Sequence, residues 1–370
     1  MTVHPHRRLA PRLVPGLGAA LGAALILSAA AADVQAAPRK PSAPRLRKVV
    51  GGKGSQVHPA AARLATGTLL LAFERIFTAH RRRAYVQRRR PTFGWSWARA
   101  LPLAKGDFTQ RDPTLVVRKK DEVLLYVQVG DLRRRRAAVR VYRSTGDTLR
   151  WKDAGRLKLR LSAATRNLAL TQPHAAPDGA GGVLLTVTRR FAGKANGCHL
   201  ARSADGLRFG PLRRIGGGHR CRVVSVAPRQ LVLTYQTRAR RRLPWRSYFR
   251  HSADGGKTWA AARPVSALHS TSEVHTLVEP GGALHFVFVV TLGRGSAIQS
   301  STWIGTKVVE RRLSRPSRRR DITPFALYTP LQSRVYFARE LQPLDFDILS
   351  LPLGPRRPPK NPAKGRKKRP

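Results

Sequence analysis

The sequence predicts an all-β chain folded as a six-bladed β-propeller, and three observations predict it. Short apolar strands recur with turn punctuation and little helical periodicity. Their openings recur at near-equal spacing: His58-Pro59, Asp112-Pro113, Gln172-Pro173-His174, Cys221-Arg222, Glu273-Val274-His275 and Thr323-Pro324. The spacing is close to 50 residues, with one interval near 60. A turn motif returns at one phase of that period, and six units of about four strands form a ring that leaves only short protected edges.

Each unit has a strongly apolar second strand: Thr68 to Phe73, Val123 to Val127, Val183 to Val187, Leu231 to Tyr235, Ala283 to Val289 and Arg334 to Ala338. Third strands follow at Arg83 to Arg88, Ala138 to Arg143, Cys198 to Arg202 and Arg246 to Arg250. The sixth unit lacks a fourth strand of its own. The alternating stretch Arg45 to Val50 is expected to complete it and so close the ring. Two stacked β-sandwiches would not explain six equal periods.

The turn motif is fullest at Ser252-Ala253-Asp254-Gly255-Gly256-Lys257-Thr258-Trp259. Asp254 can fold its carboxylate onto backbone N–H groups, and Gly255 and Gly256 supply positive φ. Thr258 and Trp259 begin the returning strand. Weaker copies stand at Ser144 to Trp151 and Ser203 to Phe209, with a fragment at Gly94-Trp95-Ser96-Trp97 and a remnant at Ser301-Thr302-Trp303. The pattern Ser-x-Asp-x-Gly-x-Thr-Trp resembles the Asp-box of the bacterial neuraminidase repeat proteins, the sialidase superfamily. In that family the box is an outer hairpin, so the resemblance makes Ser252, Asp254, Gly256, Thr258 and Trp259 structural residues.

Around this domain the chain divides further. Residues 1–36 read as a signal peptide, with Arg7, Arg8 and Arg12 before an apolar stretch from Gly16 to Ala32 and small residues at Val34 and Ala36. Residues 37–44 are a Pro-rich linker, 45–353 the propeller and 354–370 a basic tail with eight Lys or Arg, five Pro and no acid. Nothing after the signal peptide has the apolar length of a transmembrane span. The expected location is periplasmic or extracellular. In an exported chain the two cysteines, Cys198 and Cys221, favour a disulfide if their strands bring them close.

The net charge is +52, and removing the first 36 residues, with three arginines and one aspartate, leaves +50. Such a surface attracts polyanions, nucleic acid among them without sequence preference. Arginine far outnumbers lysine, which coding bias alone also produces, so composition and selected binding both stay open. No paired-cysteine, His-Glu-x-x-His or Gly-x-x-x-x-Gly-Lys pattern is present, so no metal and no cofactor is expected.

Chemistry is expected where the six inner strands open onto the central channel, which places His58, Asp112, His174, His219, Arg222, Glu273, His275, Asp321 and Thr323 there. Capping of strand ends is the competing role for these side chains. The resemblance implies an arginine cluster for a sugar carboxylate, a Tyr–Glu nucleophile pair and an aspartic acid/base. For those roles Asp112, Glu273 and Tyr235 are the catalytic candidates, with no motif fixing any of them, while position at the channel makes His58, His174, Arg222 and His275 the ligand-binding candidates. The family's Arg-Ile-Pro at the opening of blade one reads Val57-His58-Pro59 here, so that arginine is missing. The expected function is binding of a glycan or other polyanion at the channel mouth. An exo-glycosidase acting on terminal anionic sugars and a protein-binding scaffold are the alternatives, and the oligomeric state is not legible.

Overall fold

The computed structural model describes residues 46–353, apart from 51–53, 79–80, 104–108, 119–120, 131–136, 146–149, 161–168, 191–195, 239–242, 269, 280–282, 294, 305–306, 329–332 and 343–344. The signal peptide, the linker, Arg45 and the basic tail lie outside the described residues. Among the described residues the chain is all-β, with six antiparallel sheets arranged as a propeller and a two-stranded parallel pair, Lys158–Arg160 with Arg208–Pro211, beside them. No helix among the described residues is long and apolar enough to cross a membrane.

Each blade runs outward from an inner strand. The inner strands are Ser55–Arg63, Gln110–Val117, Ala169–Pro177, His219–Ala227, Thr271–Val278 and Asp321–Leu327. Consecutive inner strands lie against one another, and the sixth lies against the first. Second strands, such as Leu69–Ile76 and Glu122–Val129, are covered on both faces by neighbouring blades. They therefore read as continuous apolar runs instead of alternating. The last blade takes its outer strand from Arg47–Val50, paired antiparallel with Asp345–Pro352 through Arg47↔Ser350 and Lys48↔Leu349. Lys48 adds an ion pair to Asp347.

The hydrophobic core is a set of seams between adjacent blades. Leu70, Leu125 and Tyr142 fill the seam between blades one and two, and Tyr126, Leu185 and Phe209 the next. Phe249, Phe286 and Phe288 lie between blades four and five, while Phe73, Tyr336 and Ile348 close the sixth blade on the first. Between blades three and four, Cys198 of a third strand and Cys221 of an inner strand are disulfide-bonded, with Cα atoms 5.6 Å apart. On the chain-entropy account, closing that loop contributes about 3 kcal/mol.

The motif at 252–259 is an outer hairpin. Asp254 accepts the N–H groups of Lys257 and Thr258 and the hydroxyls of Ser252 and Thr258 at 2.6–2.9 Å. Those bonds hold its carboxyl well below the usual range. Ser252 Oγ also accepts the buried Gly256 N–H at 2.7 Å. The copy at 203–209 repeats these bonds through Ser203 and Asp205, whose carboxyl is drawn down to about 2 against the opposing effect of desolvation. Its Gly206 has φ +73°, and a Cβ there would lie 2.2 Å from Leu124, so glycine is required. Ser301-Thr302-Trp303 is not a turn. It lies inside the third strand Gly295–Ile304, paired with Glu310, Val309 and Val308 of the fourth. The Ser252→Ala variant strands a buried N–H. It is expected to lose about 1–2 kcal/mol, seen as a lower urea midpoint at unchanged slope.

Candidate functional site at the channel mouth

Every inner strand carries a bulge at the same point, where two residues lose their partners on the second strand. The first residue of each bulge is left-handed: His58 (φ 53°), Asp112 (47°), Gln172 (53°), Arg220 (52°), Glu273 (56°) and Thr323 (50°). None is glycine, and L-residues in this region cost on the order of 1 kcal/mol each. The cost is offset by hydrogen bonds passed from blade to blade. His58 N–H donates to Thr323 Oγ1 (3.1 Å), Asp112 N–H to Glu74 (3.3 Å), Gln172 N–H to Gln128 (3.1 Å) and Arg220 N–H to Gln172 (3.1 Å). Thr323 N–H donates to Glu273 Oε2. The bulge thus turns six polar side chains toward the axis, and most also fasten the next blade.

At the mouth His58 sits between two carboxylates. Its Nδ1 is 2.9 Å from Glu74 Oε2 and its Nε2 is 3.4 Å from Asp112 Oδ1. Glu74 is fully buried and also takes Arg82 at 2.8 Å; the His58 and Asp112 side chains are 19% and 22% exposed. Burial opposes charging of both partners, yet attraction between Glu74 and His58, reinforced by Arg82, holds Glu74 down at about 2. On His58 desolvation works downward, but the charges of Asp112 and Glu74 outweigh it and the net direction is up. The three groups could hold a cation by proximity, since one ligand atom from each lies within 4.8 Å of the others. The same recess is lined by Arg82, Arg111, Arg190 and Arg220, a field that disfavours a metal ion.

Two cavities meet at Arg190, Arg220 and Gln172. The smaller, about 120 Å³, holds the His58, Glu74 and Asp112 cluster. The larger, about 520 Å³, is lined by Glu273, His219, Trp245 and Arg320 as well. Trp245 meets the His219 ring edge-on at 5.4 Å and carries the Arg238 guanidinium over its face at 4.7 Å. Arg220 pairs with Glu273 at 2.6 Å. Arg190 and Arg320 make no ion pair with a described residue and are available to an anion.

One step below the mouth, two residues beyond the left-handed position, lie His174, Arg222 and His275. His174 and Arg222 line a narrow space of about 40 Å³. His275 is buried, 4.0 Å from the Phe325 ring and 6.0 Å from that of His174, and its Nδ1 accepts the Ala326 N–H at 3.2 Å. It lines none of the three cavities described. Desolvation, then Arg222, lowers the His174 imidazole to about 3, and His275 falls well below its ordinary value for the same reasons. Burial lowers Arg222 to about 10.

Of the residues nominated for catalysis, the structure brings Asp112 and Glu273 to the mouth on two sides of Arg220. It does not bring Tyr235, which stacks on Tyr248 at 5.9 Å and packs against the seam of Cys198 and Leu233. None of the described residues lining the three cavities is a tyrosine. Thr323 spends its hydroxyl on the His58 N–H, and Asp321 spends its carboxylate on Arg339 at 2.6 and 2.8 Å. Glu74, Arg190 and Arg220 are not legible as site residues in the sequence, and Gln172 is legible only as a strand opening. The available signal was a polar residue at the end of an apolar second strand, as in Phe73-Glu74 and Val127-Gln128.

No family model matches the chain, and no curated protein matches it. Solved structures do. The fold is similar to that of a protein of unknown function from Dyadobacter fermentans, at TM-score 0.65 and 16% identity over 83% of this chain and 98% of that one. It is also similar to the Fusarium graminearum GH93 α-L-arabinofuranosidase in complex with arabinobiose, at TM-score 0.63 and 13% identity over 84% and 97%. The Trypanosoma rangeli sialidase in complex with sialic acid matches at TM-score 0.62 and 11% identity over 85% of this chain, which spans 57% of the sialidase. At these identities the likeness is one of fold: the chain is a sialidase-like six-bladed propeller.

Proposed function

We propose that this chain is an exported glycan-binding propeller whose mouth takes a carboxylate-bearing sugar of an anionic polysaccharide. One observation carries the reading: Arg190, Arg220 and Arg320 converge on a single cavity of about 520 Å³ that also presents Trp245. Guanidinium forks match a carboxylate bidentately, and an indole beside them offers an apolar face to a sugar ring. The volume suits a small saccharide. The net charge of +50 beyond residue 36 would draw an anionic polymer to the mouth. The sialidase and arabinofuranosidase likenesses support a sugar ligand.

The exo-glycosidase reading is the weaker one. Glu273 is already held by Arg220 and the Thr323 N–H, and no tyrosine stands beside it in the described cavities. The test is titration of uronate and sialate oligosaccharides, with their carboxyl-reduced counterparts, by calorimetry at two salt concentrations. The carboxylates should bind and the reduced sugars should not. Arg190→Ala and Arg320→Ala should each weaken binding by about 10- to 100-fold, the size of a charge-assisted hydrogen bond. Equal binding of reduced and native sugars would overturn the assignment.

A further inference from the structure

The channel mouth holds a second set of groups that binding alone does not use. Glu74 is fully buried, ion-paired to Arg82, and accepts the Nδ1–H of His58. That contact fixes the histidine's tautomer and turns Nε2 toward the cavity, where Asp112 stands 3.4 Å away. A neutral Nε2 and an ionised carboxylate would present lone pairs to each other, so the pair holds one proton, which rests on Nε2 and passes to Asp112 before His58 can act as base. The resulting arrangement is a base, a positioning carboxylate and a proton-sharing acid, beside four arginines in a recess of about 120 Å³.

Those parts fit one reaction class. A carbon next to a sugar carboxylate becomes acidic when guanidinium groups neutralise that carboxylate, because the negative charge developing in the transition state is spread onto it. Resting on the reading above, we infer that the mouth cleaves 4-linked uronate chains by β-elimination, with His58 as base and Asp112 as acid. Arg190 and Arg220, which line both cavities, hold the carboxylate. His58 Nε2 takes the proton from C5. The C5–H electron pair becomes the C4–C5 double bond as the C4–O4 bond breaks, and protonated Asp112 delivers its proton to the departing O4. The proton left on Nε2 beside ionised Asp112 is the resting state of the pair, so the cycle closes. No water, metal or oxidant is consumed. Glu74 touches no substrate and is a positioning residue.

The test uses the full chain with the uronate oligosaccharides that it binds and a fixed set of 4-linked uronate polymers. Product is read as ultraviolet absorbance of the unsaturated uronate, and its mass is compared with that of a hydrolysis product. Wild type should release unsaturated ends. His58→Asn, a residue that tolerates the left-handed backbone, should lose about 10²–10⁴-fold in rate at saturating uronate oligosaccharide. Glu74→Gln keeps a hydrogen-bond acceptor but loses the charge facing His58, leaving Asp112, Arg82 and Arg220 around the ring. Its rate should fall and the acid limb of its pH–rate profile should move to lower pH, which a purely structural role would not produce. Binding with no unsaturated product, saturated products carrying added water, or full activity in His58→Asn would each overturn elimination and leave the binding reading standing. Failure to bind any carboxylated sugar would sink the binding reading itself.

Discussion

Urea unfolding at pH 4.5 is expected to require several kcal/mol less free energy than at pH 7, and His174 and His275 are the reason. Both are held neutral in the fold, chiefly by desolvation and then by Arg222. In the unfolded chain each titrates near 6.5, so below that pH the unfolded state binds more protons than the native state and stability falls with pH. The contribution is fully present above about 6.5 and is lost as pH falls toward about 3, the folded value for His174. At pH 4.5 the loss from His174 is roughly 2–3 kcal/mol, and His275 adds a loss of the same sign. His58 works the other way. Its raised value stabilises the fold below 6.5 and loses that contribution as pH rises through the folded value, so it offsets part of the slope. Glu74 and Asp205, both near 2, add their losses only below the ordinary carboxylate range. The check is a set of urea midpoints from pH 7.5 to 4.5 for wild type and His275→Gln. The variant should lose about one proton's worth of slope; a flat wild-type curve would contradict the buried neutral pair.

Asp321→Asn is expected to cost about 3–5 kcal/mol, because it leaves a guanidinium without its partner inside the fold. The Asp321 side chain is fully buried and the Arg339 side chain 12% exposed. Both Arg339 bonds are shorter than 3 Å, at 2.6 and 2.8 Å, and the Asp321 N–H is itself bound by Ser296 Oγ. Removing both charges should be gentler than removing one. The double variant Asp321→Asn/Arg339→Met should recover much of the loss, since the Arg339 stem already runs along Phe337. Chemical denaturation of the two singles and the double closes the cycle. A double variant as unstable as the sum of the singles would mean that the pair acts independently.

The architecture was legible because its forces repeat. A second strand enclosed on both faces must be apolar throughout, so Thr68 to Phe73 and its five counterparts marked the blades. The box residues from Ser252 to Trp259 marked the outer hairpins. The mouth was half legible. His58, Asp112, Glu273 and Thr323 fell at the right phase because each directly precedes the strand's next apolar or proline residue. In blade four the bulge opens at Arg220, one residue before Cys221-Arg222, because that strand has Cys221 where blades one, two, three and six have proline. Glu74 was hidden for another reason: a buried carboxylate is supported by partners from distant sequence, His58 and Arg82 in one blade and the Asp112 N–H in the next. Tyr235 illustrates the opposite error. Two residues of strand separate a channel-facing side chain from its neighbour on the same face, but adjacent residues point to opposite faces. Gln236 lines the large cavity and Tyr235 turns into the seam.

The six left-handed bulges have a consequence for how such a mouth can change. The backbone conformation is the same at all six points, φ 47–56°, although the residues are His, Asp, Gln, Arg, Glu and Thr. The frame therefore dictates a position and a direction but not an identity. Each blade offers one interchangeable socket, and the set behaves as a six-letter address written around the axis. A new ligand preference can be composed by exchanging letters while the seams that hold the blades together are left alone. Thr323, Gln172 and Glu273 are the least exchangeable letters, because each also supplies the acceptor for its neighbour's N–H.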